Sequence, residues 1–233
     1  MRMVLNNLEL MNIHLETLFR HDQDSSLIGI NDWRGGEAPR MFLGRTEQGS
    51  VCRFRSDLPK VTCRELAELC HKEPYVLDSA PVYLEAYREI LAGLSPVNAI
   101  WNGPAYCFLK SPGSPANTIR IGLANGSLLE NGLVDWAPDI PYQQPMVAII
   151  EDGLAIAICA SVRIGRNAHE AGVEVLEPYR NRGYANAVVS AWAQAVYEQG
   201  ALPMYSTSAE NIASQNLAAK LGLGRYGSDF HIT

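Results

Sequence analysis

The sequence predicts a mixed α/β (α+β) fold in which antiparallel strands come first and a β-α-β crossover follows. Apolar runs at 146–150 and 154–164 flank a Glu-Asp-Gly turn, a pattern that indicates a β-hairpin. Residues 183–199 then repeat apolar side chains at helical spacing between two further extended runs. The 233 residues are 47% hydrophobic and 19% charged, a composition typical of a globular protein with a buried core.

The first 97 residues predict an additional N-terminal α/β region. Short apolar runs between glycine-rich breaks predict strands at 27–30, 40–44 and 51–55. Thr62 and Glu65 have the spacing of a capping box, which predicts a helix from there to about residue 72. A second helix is predicted at 82–94, with Pro81 in its first turn.

The remaining elements follow from apolar periodicity and turn residues. Strands are predicted at 105–110 and 118–122, joined by a Pro-, Gly- and Ser-rich loop at 111–117. Residues 125–144 have weak periodicity and receive no assignment. After the hairpin, the pattern predicts a strand at 169–176, a helix at 183–199, an extended run at 203–207, a helix at 211–221 and a final strand at 225–232.

Charge and composition exclude several classes of function. The formal net charge is −6 and neither residues 1–140 nor residues 141–233 are basic, so we expect no nucleic-acid partner and no membrane partner. No apolar run approaches the roughly 20 residues of a transmembrane helix, and residues 1–7 lack a signal-peptide core. The five cysteines form no Cys-x-x-Cys pair and the histidines no metal-ligand spacing, so a cytoplasmic protein with reduced thiols and no metal is expected.

The strongest chemical signal is the turn between the strand at 169–176 and the following helix. The first amide groups of a helix have no internal partner and carry the positive end of the helix dipole. Gly183 removes a side chain at this turn and Ala185 adds little, while Arg180 and Arg182 add positive charge. Such a turn suits a diphosphate, although a solvated strand–helix turn is the alternative. Neither Gly-x-Gly-x-x-Gly nor a Walker loop occurs.

Arg180-x-x-Gly183-x-Ala185 resembles the Arg/Gln-x-x-Gly-x-Gly/Ala signature of the GNAT superfamily of acyl-CoA-dependent N-acetyltransferases. Residues 205–214 and 217–223 are similar to the second conserved segment of that superfamily. The resemblance covers about 146–233, and 1–97 show no comparable match. It implies a GNAT-like mixed sheet with helices on both faces, in a domain at 98–233.

The resemblance also implies a co-substrate, acetyl-CoA, and the residues that bind it. Backbone groups of Val173 and Val175 would contact the acetyl and pantetheine arm, and a strand amide there could stabilise the thioester oxyanion. Asn211 would contribute from the second segment, with a helix N-cap as the alternative role. The full implied set is Val173, Val175, Arg180, Asn181, Arg182, Gly183, Tyr184, Ala185, Asn186, Asn211 and Ser214.

The catalytic groups are less clearly marked. Many superfamily members place a tyrosine, the acid for the leaving thiolate, seven residues after the asparagine, but this chain has Ala218 there. His169 occupies the position where some members carry a catalytic carboxylate, and an imidazole titrates in a useful range. Glu170 and Glu174, on the other face of the strand, are alternative bases. Weaker candidates are His231 and Tyr226.

The implied reaction is direct transfer of an acetyl group from acetyl-CoA to a primary amine of a small molecule or peptide. The acidic excess favours a cationic acceptor. The alternative is a non-catalytic acyl-CoA-binding sensor or structural module, which the missing tyrosine leaves open. A longer acyl chain or a hydroxyl acceptor is a third option. The sequence predicts no oligomeric state.

Overall fold

The computed structural model describes residues 5–113, 115, 117–130 and 132–233. Up to residue 107 the elements are α1 (Asn7–Leu18), β1 (Phe19–His21), β2 (Leu27–Ile30), β3 (Met41–Thr46), β4 (Gly49–Phe54), α2 (Lys60–Lys72), α3 (Leu84–Ala92) and β5 (Ile100–Cys107). The three strands and two helices predicted at 27–94 are therefore confirmed. α1 was not predicted.

From residue 119 onward the elements are β6 (Ile119–Arg120), short 3-10 helices at Leu123–Leu129 and Val134–Asp139, β7 (Met146–Glu151), β8 (Leu154–Ile164), β9 (Ala168–Val175), a 3-10 turn at Glu177–Tyr179, α4 (Tyr184–Glu198), β10 (Leu202–Ser206), α5 (Ile212–Lys220) and β11 (Gly224–Ile232). Every element predicted after residue 146 is confirmed. The predicted loop at 111–117 includes Ser114 and Ala116, which lie outside the described residues.

The chain forms two compact units, each built from separated stretches of sequence. The first contains the described part of Met1–Tyr106, with Ser206–Ile212 and Arg225–Thr233. The second contains the described part of Cys107–Tyr205, with Ala213–Gly224. The expected division of the chain into 1–97 and 98–233 stays a prediction.

In the first unit, four strands are ordered β4-β3-β11-β5, and β3 is antiparallel to both β4 and β11. α2 and α3 contribute apolar side chains to a core against β3 and β11. This core consists of Met41, Leu43, Leu66, Cys70, Tyr87, Leu91, Phe230 and Ile232. A separate short antiparallel pair joins β1 to β2.

In the second unit, five strands are ordered β10-β9-β8-β7-β6. β7, β8 and β9 are antiparallel neighbours, whereas β9 and β10 are parallel, as the predicted crossover requires. α4 contacts β7, β8 and β9, and its apolar stripe, with Trp192 at its centre, is buried. On the other face of these five strands lies a second apolar core. It consists of Ile121, Leu129, Leu133, Ile140, Met146, Ala148, Ala155, Ile158 and Ala160.

The predicted capping box at Thr62 is wrong. α2 begins at Lys60 with Pro59 at its N-cap, and no side chain caps it. The φ of −57° at Pro59 is already close to helical values, and its carbonyl accepts from the amide of Cys63 at 3.0 Å. The capping box lies instead at α1, where the side chains and amides of Asn6 and Glu9 bond reciprocally.

Among the described residues, no helix combines the length and apolarity needed to cross a lipid bilayer.

Candidate active site

Only the first part of the β10-facing edge of β9 is paired with another strand. Its parallel ladder with β10 runs from Leu202↔Ala168 to Met204↔Glu170 and ends there. Its antiparallel ladder with β8 continues to Ala157↔Val175. The β10-facing edge of residues 171–175, all of them described, therefore has no strand partner, and an extended ligand could pair with its main-chain groups.

The turn that follows β9 is exposed and left-handed. Asn181 has a φ of 63°, and Gly183, the N-cap of α4, has a φ of 89°. Residues 180–183 are all solvent-exposed. A Cβ added at Gly183 would meet no atom within 4 Å outside its chain neighbours, so the space beside this backbone is open. The open space and the N-terminus of α4 together form a surface that an anion can reach.

Side chains fix the turn on both sides. The Nε of Arg180 donates to the carbonyl of Val175 at 3.2 Å, which joins the turn to the end of β9. The guanidinium of Arg182 lies 5.5 Å from the ring centroid of Tyr179, a cation–π distance. The hydroxyl of Tyr184 donates to the carboxylate of Glu151, and this bond is the main reason that the pKa of Tyr184 is raised.

His169 lies in the interior, against α4. Its Nδ1 is 2.9 Å from the hydroxyl of Ser161, which also accepts from the indole Nε1 of Trp192 at 3.0 Å. The imidazole is only 6% exposed, and burial lowers its pKa. His169 also pairs with Pro203, within the closed part of the ladder, roughly 20 Å along the strand from Val175. The structure therefore does not bring His169 to the open edge of β9.

Glu174 lies on the opposite face of β9, next to the open edge. It is exposed, and its Oε2 accepts from the indole Nε1 of Trp136 at 2.7 Å. Trp136 reaches this position over Gly172, because a Cβ there would lie 3.1 Å from the indole ring. The other alternative base, Glu170, is 3% exposed.

Sequence reasoning missed Trp136. It belongs to the 3-10 helix at Val134–Asp139, inside the stretch whose weak periodicity gave no assignment. A lone tryptophan in such a segment carries no signal of which carboxylate it will contact.

The second conserved segment contributes a pair of hydroxyl groups. The Oγ of Ser214, on α5, lies 2.5 Å from the phenol oxygen of Tyr205, on β10. Ala218, one helical turn further along α5, is fully buried.

The other predicted residues of this group lie in the first unit. Asn211 is exposed just before α5, and its amide donates to the carbonyl of Ser208 at 3.1 Å. His231 is stacked on Trp101 with ring centroids 5.8 Å apart, and burial lowers its pKa. Tyr226 is 1% exposed.

Residues 147–227 match a family model described as GNAT acetyltransferase. This segment of the chain is therefore similar to the GNAT superfamily. The GNAT match contains the open edge of β9, the turn at 180–183 and the whole of α4. No curated protein sequence matches the chain significantly.

Solved structures with the GNAT fold resemble the chain at low identity. A GNAT-family acetyltransferase from Novosphingobium aromaticivorans is 17% identical with a TM-score of 0.50, and the match covers 58% of this chain and 65% of that protein's length. A GCN5-related N-acetyltransferase-like protein from Streptococcus suis is 15% identical with a TM-score of 0.50, covering 98% of this chain and 100% of that one. At these identities the likeness concerns the fold alone, and the predicted mixed α/β fold is confirmed.

Proposed function

We propose that this chain is an N-acetyltransferase that moves the acetyl group of acetyl-CoA directly to a primary amine of a small molecule or peptide. The observation that carries the proposal is the exposed, left-handed turn at 180–183, which opens α4 directly after a strand whose edge has no partner. The similarity of residues 147–227 to GNAT acetyltransferases supports the class of reaction.

The residues present fit acetyl-CoA. The open space beside Gly183, the amides that begin α4 and the charges of Arg180 and Arg182 suit a diphosphate. The main-chain groups of Val173 and Val175 would pair with the extended arm. The remaining implied contacts within the second unit are Asn181, Tyr184, Ala185, Asn186 and Ser214. When bound, acetyl-CoA supplies a thioester carbonyl that an amine can attack.

Deprotonation of the acceptor amine is best assigned to Glu174. Its carboxylate is exposed beside the open edge of β9, and the bond from Trp136 fixes its orientation. His169, the base implied by the resemblance, is buried and engaged with Ser161, and a base must come within hydrogen-bonding reach of the proton it removes. We therefore infer that Glu174 acts as the base and that His169 supports the interior beneath α4.

The proton for the leaving thiolate is assigned to the hydroxyl pair of Tyr205 and Ser214. Ala218 has no hydroxyl, but Ser214 lies one turn earlier on the same face of α5. Its 2.5 Å contact with the phenol of Tyr205 makes a short chain along which a proton can pass.

Calorimetric titration with acetyl-CoA tests the binding site. Gly183→Asp places a carboxylate in the open space of the turn, so we expect at least about a tenfold loss of affinity from charge repulsion. Gly200→Asp is the matched control, because Gly200 follows the end of the same helix with a φ of 81° and equally open space where a Cβ would lie. Equal affinities in the two variants, or no binding by the wild type, would refute the proposed site.

The second candidate is a protein that binds acyl-CoA without turnover, favoured by the buried alanine at 218. Release of free thiol across a panel of amines separates the two functions. Release that depends on the amine supports the transferase. Tight binding of acetyl-CoA without amine-dependent release supports the sensor.

A further inference from the structure

Two cysteines of the first unit lie at one strand–helix contact. Cys52 lies on β4 and packs against the core to which Cys70, on α2, belongs. Ser50 shares a strand face with Cys52, and its hydroxyl donates to the carbonyl of Cys70 at 3.4 Å. Two residues of β4 therefore point at the part of α2 where Cys70 lies.

The two sulfur atoms are in unequal surroundings. Cys52 is half-buried, whereas Cys70 is 1% exposed. Interaction with the Cys70 thiol lowers the pKa of Cys52, and the charge of Arg53 acts in the same direction. The same interaction, together with burial, raises the pKa of Cys70. Cys52, the less buried of the two residues, thus carries the greater thiolate character, and the buried Cys70 belongs to the core against which it packs.

We propose that Cys52 and Cys70 are an oxidant-sensitive dithiol that closes to a disulfide between β4 and α2. In the first step the Cys52 thiolate attacks one oxygen of a peroxide. The O–O bond breaks and Cys52 becomes a sulfenic acid. The second oxygen leaves as hydroxide, which takes up one proton and becomes water. In the second step the Cys70 sulfur attacks the Cys52 sulfur, the S–O bond breaks, and the hydroxide takes the Cys70 proton and leaves as water. The peroxide is reduced, and two thiols are oxidised to one disulfide.

The other cysteines supply internal controls. Burial raises the pKa of Cys63, raises that of Cys107 to about 11, and raises that of Cys159. Each is therefore mostly a thiol at neutral pH and a poor nucleophile toward peroxide. The inference concerns the first unit alone and does not depend on acetyl-CoA binding.

The test is hydrogen peroxide treatment of the reduced full-length chain, followed by mass spectrometry without reductant. We expect the intact mass to fall by two hydrogens, and the digest to contain a Cys52–Cys70 cross-linked peptide that disappears on reduction. Cys70→Ser should instead accumulate a sulfenic acid on Cys52, trapped by dimedone. Cys63→Ser should behave as the wild type.

Three outcomes would overturn the proposal. They are oxidation confined to other cysteines, a cross-link between any other pair, and a wild-type chain whose Cys52 is no more reactive than Cys63 toward limiting peroxide. The wild-type peptide map decides the question even where a serine variant fails to fold.

Discussion

The guanidinium of Arg180 donates a hydrogen bond to the main chain of Val175, with 3.2 Å between Nε and the carbonyl oxygen. Arg180 is five positions after Val175 in sequence, and the 3-10 turn at Glu177–Tyr179 lies between them. The bond holds the beginning of α4 against the end of β9. The two parts of the proposed acetyl-CoA site, the turn and the strand edge, are therefore positioned together rather than independently.

Arg180→Ala should weaken acetyl-CoA binding by about tenfold, because it removes both a charge at the turn and the bond to Val175. Arg180→Gln should lose less affinity for acetyl-CoA, since the glutamine amide can still donate to the carbonyl of Val175. Calorimetry at two salt concentrations provides the measurement. Arg166→Ala is the control, as it removes an equal charge from an exposed loop. A loss in Arg166→Ala as large as that in Arg180→Ala would mean that net charge alone explains the effect.

Glu174→Gln should lower kcat by about 100-fold and leave acetyl-CoA affinity nearly unchanged, because only amine deprotonation is removed. Trp136→Phe removes the bond to Glu174 and should lower kcat less. Steady-state rates across a pH series give the comparison, with Glu198→Gln as an exposed control. An unchanged kcat in Glu174→Gln would return the role of base to His169.

His169 should make the free energy of unfolding depend on pH. Burial lowers its pKa below that of the unfolded chain, so the unfolded state binds the proton first as pH falls. Stability from this residue is complete above a pH of about 6.5 and declines below it. His169→Gln should flatten that decline in urea unfolding measured at several pH values. The matched variant His71→Gln, on the exposed side of α2, should keep the wild-type slope.

Arg40→Met should cost about 3 kcal/mol of unfolding free energy, because it strips charged donors from buried carbonyl groups. Arg40 is 3% exposed, and its guanidinium donates at 2.9–3.0 Å to the carbonyl of Leu91, in the last turn of α3, and to those of Ser95 and Pro96 just beyond it. Arg88→Met is the control, since Arg88 is exposed and forms an ion pair with Glu85 at the surface of the same helix. Arg88→Met should lower the free energy of unfolding by less than about 1 kcal/mol. Equal midpoints in denaturant titrations of the two variants would contradict this account.

The second half of the chain was predicted well because its local signals agree with the tertiary packing. The hairpin at β7 and β8 has an unambiguous turn, and the apolar stripe of α4 is the surface that becomes buried. The turn at Arg180 and Gly183 could likewise be found from residue types and spacing.

The parts that sequence missed depend on contacts between distant residues. α1 begins at a capping box of Asn6 and Glu9 that was overlooked among short apolar runs. The contact of Trp136 with Glu174, which singles out one carboxylate, joins segments 38 residues apart. No local pattern encodes the burial of His169 either, since it depends on Ser161 and Trp192 from two other elements.

The incomplete ladder of β9 should also affect the self-association of the protein in solution. A bare strand edge attracts any other extended peptide, including the same edge of a neighbouring molecule. Concentrated solutions of the protein alone should therefore self-associate. Coenzyme A, bound at the proposed site, should cover the edge and keep the molecules apart.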